Sequence, residues 1–207
     1  DVDSPDLNTG VLTVSILSGK DAAEDYLSVA DANVTATASD VATATTYDLA
    51  VDGWAAGDDG GTGLGAWAMT NNNDGTSLFA GSFIGDSTEG SAGNVNLSGK
   101  SFGLYANPTS ASVNADRTFD SALAVGSTFS IKLAVNFRNG DKGIDLHGTG
   151  GNSQKLWNFN VGQNSSSDDY YYEDKVNAPG TKTSLDLSYQ ADSLFTLLFE
   201  QKAGNVV

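Results

Sequence analysis

The sequence has no cysteine, a single histidine (His147) and only two arginines, Arg117 and Arg138. The lack of cysteine excludes disulfide bonds, thiol catalysis and cysteine–zinc sites. A lone histidine in a strand beside a turn is more typical of a packing residue than of a catalytic triad or a histidine–metal site. No run approaches the roughly 18 apolar residues of a membrane helix, so we expect no membrane insertion.

Basic residues are scarce. The formal net charge is −16, from 26 acidic and 10 basic residues. Such a surface repels a phosphate backbone, so we expect no nucleic-acid partner. All but four of the acids are aspartates. Aspartate is common in turns, where it accepts short hydrogen bonds, and it is also a calcium ligand. We therefore expect mostly solvent-exposed acidic turns, and Ca2+ is the one candidate cofactor.

The clearest pattern that is present is a strict alternation of apolar and polar residues over 128–137. A period of two predicts a half-buried strand, because a helix would scatter these side chains around its axis. Weaker copies recur between turn signals at 11–17, 47–51, 157–161, 185–189 and 195–199. The sequence thus predicts an all-β fold: a two-sheet antiparallel β-sandwich or jelly roll with an N-terminal extension strand.

Four motifs in the region from 46 to 199 resemble a concanavalin-A-like (lectin/glucanase-type) β-sandwich module of large secreted bacterial proteins. These motifs are 57–67 (GDDGGTGLGAW), 101–107 (SFGLYAN), 117–130 (RTFDSALAVGSTFS) and 136–146 (NFRNGDKGIDL). A shorter likeness to cadherin-like adhesin repeats covers 10–16 and 24–29. The resemblance implies two parts, an N-terminal arm over 1–45 with a strand at 11–17 and a sandwich over 46–207. It also implies a secreted protein, located outside the cell or on its surface.

Catalysis is not expected. Retaining glucanases of this fold carry paired glutamates that flank the sugar bond. Here Glu24, Glu89, Glu173 and Glu200 are isolated in the sequence. Neighbouring acids such as Glu173 and Asp174 point to opposite faces of a strand, so they are poor catalytic pairs. The sequence therefore predicts a protein that is not an enzyme.

Aromatic residues suggest a carbohydrate site. Flat rings stack on the apolar faces of sugars, while Asp and Asn accept hydrogen bonds from hydroxyl groups. Trp54 follows Asp-Gly in a loop and is expected at the surface, whereas Trp67 and Trp157 are expected in the core. The candidate carbohydrate-binding residues are Trp54, Tyr170, Tyr171 and Tyr172.

Loop carboxylates suggest calcium sites. Calcium takes six to eight oxygen ligands, some of them backbone carbonyls that a sequence does not reveal. The EF-hand pattern is missing, since no Glu closes a twelve-residue loop. The candidate calcium ligands are Asp1, Asp3, Asp6, Asp58, Asp59, Asn73 and Asp74.

The leading functional hypothesis is a non-catalytic extracellular structural or adhesive module, of the filament or surface-layer type, that assembles by strand exchange. The donor would be the strand containing Leu12, Val14 and Ile16, and its partners would be other copies or neighbouring surface proteins. Modules of the resembled type continue with further strands beyond the segment corresponding to 194–199, so we expect the edge at 194–201 to be the acceptor. The alternative is a carbohydrate-binding, lectin-like module whose partner is a polysaccharide.

Overall fold

The computed structural model describes residues 11–17, 25–28, 38–42, 47, 53–88, 94–97, 99–108, 110–121, 124, 126–138, 140–148, 155–162, 169–191 and 193–200. Within these ranges the chain is all-β. The strands are β1 (Val11–Leu17), β2 (Asp25–Ser28), β3 (Ala68–Asn71), β4 (Phe79–Gly85), β5 (Ser101–Asn107), β6 (Ser112–Thr118), β7 (Thr128–Ala134), β8 (Asp141–His147), β9 (Lys155–Val161), β10 (Asp169–Asp174), β11 (Thr183–Ser188) and β12 (Leu194–Glu200).

The strands form two sheets. The seven-stranded sheet has the order β11-β10-β9-β8-β1-β6-β3, and the five-stranded sheet has the order β12-β7-β2-β5-β4. All strand pairs are antiparallel. Because apolar residues from both sheets share one core, the arrangement is a β-sandwich. The predicted all-β, two-sheet fold is therefore confirmed.

The alternation of apolar and polar residues that predicted β7 matches the alternation of buried and half-buried side chains along this strand. Phe129, Ile131 and Leu133 are buried, while Ser130 and Lys132 between them are half-buried. The strand ends at Ala134, three residues earlier than the pattern predicts. The chain leaves the sheet beyond it, where the Tyr189 hydroxyl donates a hydrogen bond to the Asn136 carbonyl. The alternation thus predicts the strand but not its end.

Aromatic rings fill the space between the sheets. At one end, Trp54 lies 4.8 Å from Trp67 and 4.7 Å from Phe102, measured between ring centroids. At the other end, Phe195 of β12 lies 4.3 Å from Tyr170 of β10, and Phe199 lies 5.1 Å from Trp157 of β9. Burying such rings is the main stabilising contribution in a sandwich that has no disulfide bond.

Candidate functional site

The first two strands, β1 and β2, are interior strands of the two sheets, with a paired strand on each side. β1 pairs with β6 on one side and with β8 on the other, with Val14 opposite both Ala115 and Ile144. β2 pairs with β5 and β7, with Leu27 opposite Phe102 and Leu133. We call β1 and β2 together the N-terminal arch. In the strand orders of the two sheets, β1 alone joins β8 to β6, and β2 alone joins β7 to β5.

The predicted strand at 11–17 is confirmed, and within its own chain it pairs away from the predicted acceptor edge. The predicted acceptor edge at 194–201 lies in the five-stranded sheet, where β12 pairs with β7. β1 instead occupies the slot between β6 and β8 in the seven-stranded sheet. The slot offers backbone partners on both sides of a strand, whereas an edge offers partners on one side only.

Among the described strands, none pairs with the outer side of the acceptor edge that was predicted at β12, and this edge carries apolar side chains. β12 and β11 are the outermost strands of their sheets. Four leucines are exposed on these two strands, Leu198 most of all at 65%. We call these residues the leucine edge: Leu185, Leu187, Leu194 and Leu198. Natural proteins usually protect such an edge with charge or proline, and here the charged residues on the two strands are Asp186, between two of the leucines, and Glu200 at the end of β12.

Three of the four predicted carbohydrate-binding residues lie in the interior, and the prediction for them is wrong. Trp54 is only 1% exposed and packs on Trp67 and Phe102. Tyr170 and Tyr171 are also buried. Tyr172 is half-buried with its ring 6.1 Å from Trp157. The Asp-Gly pair before Trp54 correctly marks a loop, but the loop folds inward because two other rings there offer the indole an apolar site.

The predicted calcium ligands that the structure describes, Asp58, Asp59, Asn73 and Asp74, are not part of a group that could hold a metal ion. Asp1, Asp3 and Asp6 lie outside the described residues. Asp58 Oδ2 accepts a hydrogen bond from the Ala55 amide at 2.8 Å, and Asp59 Oδ1 lies 3.2 Å from the Arg117 guanidinium. In the described parts of the chain, no three acidic or histidine side chains form a group that could hold a metal ion.

The turn after β3 shows what its polar residues do. Asp74 Oδ1 accepts hydrogen bonds from the amides of Thr76, Ser77 and Leu78, and Asn73 accepts one from the amide of Gly75. The bonds to Leu78 and Ser77 hold the pKa of Asp74 well below its usual range. These side chains therefore act as the turn caps that the composition suggested.

Sequence reasoning missed a buried ion pair in the core. Arg117 on β6 lies 2.5 Å from Asp40 Oδ2, and both side chains are almost fully buried. The same carboxylate accepts hydrogen bonds from the Tyr47 hydroxyl and from Trp67 Nε1. Burial raises the pKa of Asp40, against the opposing effects of Tyr47 and Arg117. The only signal available was the scarcity of arginine, which makes each one a candidate for a specific contact.

A second buried carboxylate, also missed, lies on β8. Asp145 Oδ2 lies 2.5 Å from Lys155 Nζ, and Asp145 Oδ1 accepts a hydrogen bond from Asn158 Nδ2 at 2.5 Å. His147 Nε2 is 3.9 Å from the same carboxylate. Burial raises the pKa of Asp145, but His147, Lys155 and Asn158 together outweigh burial and the net pKa is lowered. The alternation of Asp145 and His147 along β8 was the available signal.

Comparisons of the chain with family models, curated proteins and solved structures found no match. The described residues include no helix long and apolar enough to cross a membrane. Geometry and charge are therefore the grounds on which a function can be assigned.

Proposed function

We propose that this protein is a non-catalytic structural or adhesive module of the extracellular space that assembles with copies of itself by exchanging the N-terminal arch. One observation carries the proposal: a single contiguous segment supplies a central strand to both sheets. A second copy presents the same two slots, so its arch can make the same backbone pairings. Exchange of identical elements is a low-cost route to assembly.

Exchange changes few contacts. Each slot consists of two strands that the structure pairs through the arch: β6 with β8, and β5 with β7. In an exchanged assembly every one of these backbone hydrogen bonds is retained but is made between chains. The free-energy difference between the two forms then depends on the linking segments and on protein concentration. High local concentration at a cell surface would favour the exchanged form.

Two of the described carboxylates, Glu173 and Asp145, support a role without catalysis. The Glu173 Oε2 atom lies 2.6 Å from Lys175 Nζ, and Oε1 accepts a hydrogen bond from the Gly180 amide at 2.5 Å. Asp145 is held by Lys155 and Asn158. Both carboxylates are committed to lysines of the fold, as structural ion pairs are, rather than poised as an acid and a base of unequal pKa.

A disulfide cross-link tests the proposal, because the chain has no cysteine of its own. Ser15 of β1 lies opposite Asn114 of β6, so a Ser15→Cys and Asn114→Cys double variant can form a bond at this pair. If the arch is exchanged, mild oxidation at high protein concentration gives a ladder of covalent multimers on a denaturing, non-reducing gel. Cross-linked monomer alone, at every concentration, would show that the arch stays within its own chain.

The matched control moves one cysteine out of register. Thr118 pairs with Val11, four residues along β6 from Asn114. A cysteine at 118 is therefore displaced from Ser15 by about 13 Å along the strand, well beyond the roughly 7 Å limit for a disulfide. We expect the Ser15→Cys and Thr118→Cys variant to form neither the ladder nor the internal bond.

Calcium bracing of the joints belongs to the same proposal. Light scattering in calcium and then in chelator measures its contribution directly. A fall in mass on chelation would support calcium at the joints. An unchanged mass would mean that the assembly depends on strand pairing and not on calcium.

A further inference from the structure

The seven-stranded sheet extends one strand further than the five-stranded sheet on the side where β11 and β12 lie. Phe195 of β12 lies 4.3 Å from Tyr170 of β10 and 5.9 Å from Phe159 of β9, measured between ring centroids. β12 therefore lies above β10 and β9, and β11 lies beyond it. No described strand of the five-stranded sheet covers β11, and all six residues of β11 are exposed. We call β11 together with the side of β12 that faces away from β7 the step.

Two members of the leucine edge point into the step. Asp169 of β10 precedes a core tyrosine, so its side chain points to the outer face of the seven-stranded sheet. The hydroxyl groups of Ser184 and Ser188 both donate hydrogen bonds to Asp169, at 3.3 and 2.9 Å. Leu185 and Leu187 alternate with these serines, so they point the opposite way, towards the layer of the five-stranded sheet. They are 36% and 50% exposed.

The two strands of the step run in opposite directions. Tyr189 directly follows β11, and its hydroxyl donates a hydrogen bond to the Asn136 carbonyl, just beyond the end of β7. Leu194, the first residue of β12, pairs with Ala134, the last residue of β7. The last residue of β11 and the first residue of β12 are therefore at the same end of the sandwich.

We propose that two copies of the protein join at the step, with β11 of each copy pairing along β12 of the other. The copies are related by a two-fold axis that runs parallel to the strands, between the two layers. This axis exchanges the layers, so each sheet of one copy continues into the other sheet of the second copy. It also keeps strand directions, so β11 of the second copy runs antiparallel to β12 and can form a hydrogen-bonded ladder with it.

A second copy is the occupant that the step selects. An unrelated strand added along β12 would cover β11 but would leave the outer side of β11 unpaired. A second copy pairs both edges at once, because each copy supplies the strand that the other lacks above β11. Leu185 and Leu187 of both copies would then share one enclosed core.

The charge of the protein does not oppose this contact at the joint itself. Each copy has a net charge of −16. The charged residue of β11 is Asp186, and its Oδ1 atom lies 3.5 Å from the hydroxyl of Ser184, on the outer face. The residues of β12 that point inward are Phe195, Leu197 and Phe199. Two acidic copies can therefore meet at the step without burying a carboxylate.

The joint at the step goes beyond the proposed exchange, because it uses neither strand of the N-terminal arch. An exchange of arches alone can close into a dimer. A copy that has both an arch joint and a step joint has two different interfaces, which is what a linear filament requires.

The structure also fixes the register of the joint. Trp157 lies 5.1 Å from Phe199 and 6.1 Å from Tyr172. Tyr172 pairs with Thr183. Phe199 of β12 is therefore level with Thr183 of β11 along the strands. The two-fold axis keeps this level, so the same two positions are opposite each other across the joint.

A disulfide between β11 and β12 tests the joint. Ser184 follows Thr183 and Leu198 precedes Phe199, so Ser184 of one copy is opposite Leu198 of the other. Within one copy the two residues lie on the outer faces of different sheets, about 10 Å apart or more, which exceeds the roughly 7 Å limit for a disulfide. After mild oxidation, we expect the Ser184→Cys and Leu198→Cys double variant to give a covalent dimer, and no longer ladder, on a denaturing, non-reducing gel.

Ser184→Cys combined with Ser130→Cys is the matched control. Ser130 of β7 pairs with Leu198. A cysteine at 130 therefore keeps the face and the level of position 198 but lies one strand further from the joint. We expect no covalent dimer from this variant, and none from Leu198→Cys alone.

Sedimentation equilibrium tests the joint without a cross-link. Leu187→Asn should weaken dimer formation by about tenfold or more. Leu198→Asn should leave it unchanged, although Leu198 is the more exposed leucine, because it lies on the outer face. Added salt should strengthen the dimer by screening the repulsion between two acidic copies.

Three results would each overturn the joint: no covalent dimer from the 184 and 198 cysteines in folded protein, as much dimer from the 184 and 130 cysteines, or equal dimer formation by the two asparagine variants. The first would mean that something other than β11 of a second copy occupies the step. None of these results affects the cross-link between Ser15 and Asn114 that tests the arch.

Discussion

Asp40 and Asp145 are both buried carboxylates with a cation 2.5 Å away, yet their pKa values move in opposite directions. Asp40 lies in the core, where burial raises its pKa. Asp145 is equally buried, but contacts from His147, Lys155 and Asn158 outweigh burial. The distance to the nearest cation is therefore a poor guide to the state of a buried acid.

The two cations also differ in their surroundings. Arg117 divides its donors among Asp40, Asp59 and three carbonyls, with Nε 2.6 Å from the Gly65 oxygen. It serves as a hub that ties the loop before β3 to β6. Lys155 has 37% of its side chain exposed and keeps part of its hydration. The Arg117–Asp40 pair is enclosed by the protein, whereas the Lys155–Asp145 pair is in contact with solvent.

Removing Arg117 should have the largest effect on the free energy of unfolding. Arg117→Met leaves Asp40 buried with no cation and leaves three carbonyls without a donor. Breaking a buried pair in this way costs about 3–5 kcal/mol of unfolding free energy. Urea denaturation followed by tryptophan fluorescence measures it. Asp40→Asn combined with Arg117→Met should cost less than the two single changes added together, and simple additivity would contradict the direct pairing.

Tyr47→Phe should have the next largest effect. It removes the hydroxyl that donates to Asp40 and that also accepts from Trp67 Nε1 at 2.9 Å. A hydrogen bond to a charged group contributes about 1.5–3 kcal/mol. Tyr172→Phe is the control, because Tyr172 is only half-buried, and we expect less than about 0.5 kcal/mol there. Equal losses in the two variants would mean that the Tyr47 hydroxyl is not a specific partner of Asp40.

Lys155→Met should cost about 1 kcal/mol or less, since its ammonium group is partly solvated. The stability lost in Lys155→Met should also become smaller in high salt. The stability lost in Arg117→Met should stay nearly constant, because buried pairs are screened much less. Denaturation midpoints at low and high ionic strength would separate the two. If the stability lost in Arg117→Met also became smaller in high salt, the Arg117–Asp40 pair would not be shielded from solvent as its burial implies.

The smallest expected effect is on the pH dependence of stability, to which Asp145 and Asp40 should contribute with opposite signs. Asp145 has a lowered pKa, so its stabilising contribution is present above its unfolded pKa and is lost as the pH falls through the folded value. Asp40 has a raised pKa, so its protonated form is favoured on folding and stability falls as the pH rises towards that value.

Neutral variants reveal these slopes in unfolding experiments between about pH 3 and about pH 6. The stability of the parent minus that of Asp145→Asn should decrease as the pH is lowered. The same difference for Asp40→Asn should increase. Slopes of the same sign would show that the two carboxylates differ less than their surroundings suggest.

The sequence predicted local structure well and spatial neighbours poorly. The alternation at 11–17 gave β1 with its observed bounds, because a period of two is a local property. Its position between β6 and β8 depends on strands about 100 or more residues away. The contact of the Tyr105 ring with Gly81 was missed for the same reason, since these two residues become opposed only through the pairing of β4 and β5. Trp54 was misplaced because a loop signal says nothing about whether the loop faces inward.

The central position of β1 has a consequence for synthesis on the ribosome. Ile144 follows its partner Val14 by about 130 residues, so β1 emerges from the ribosome long before β8 exists. Pairings of such high sequence separation form slowly. During that delay the segment is available to β6 and β8 of neighbouring nascent chains on the same message. The order of translation thus leaves β1 without its β8 neighbour until most of the chain has been made.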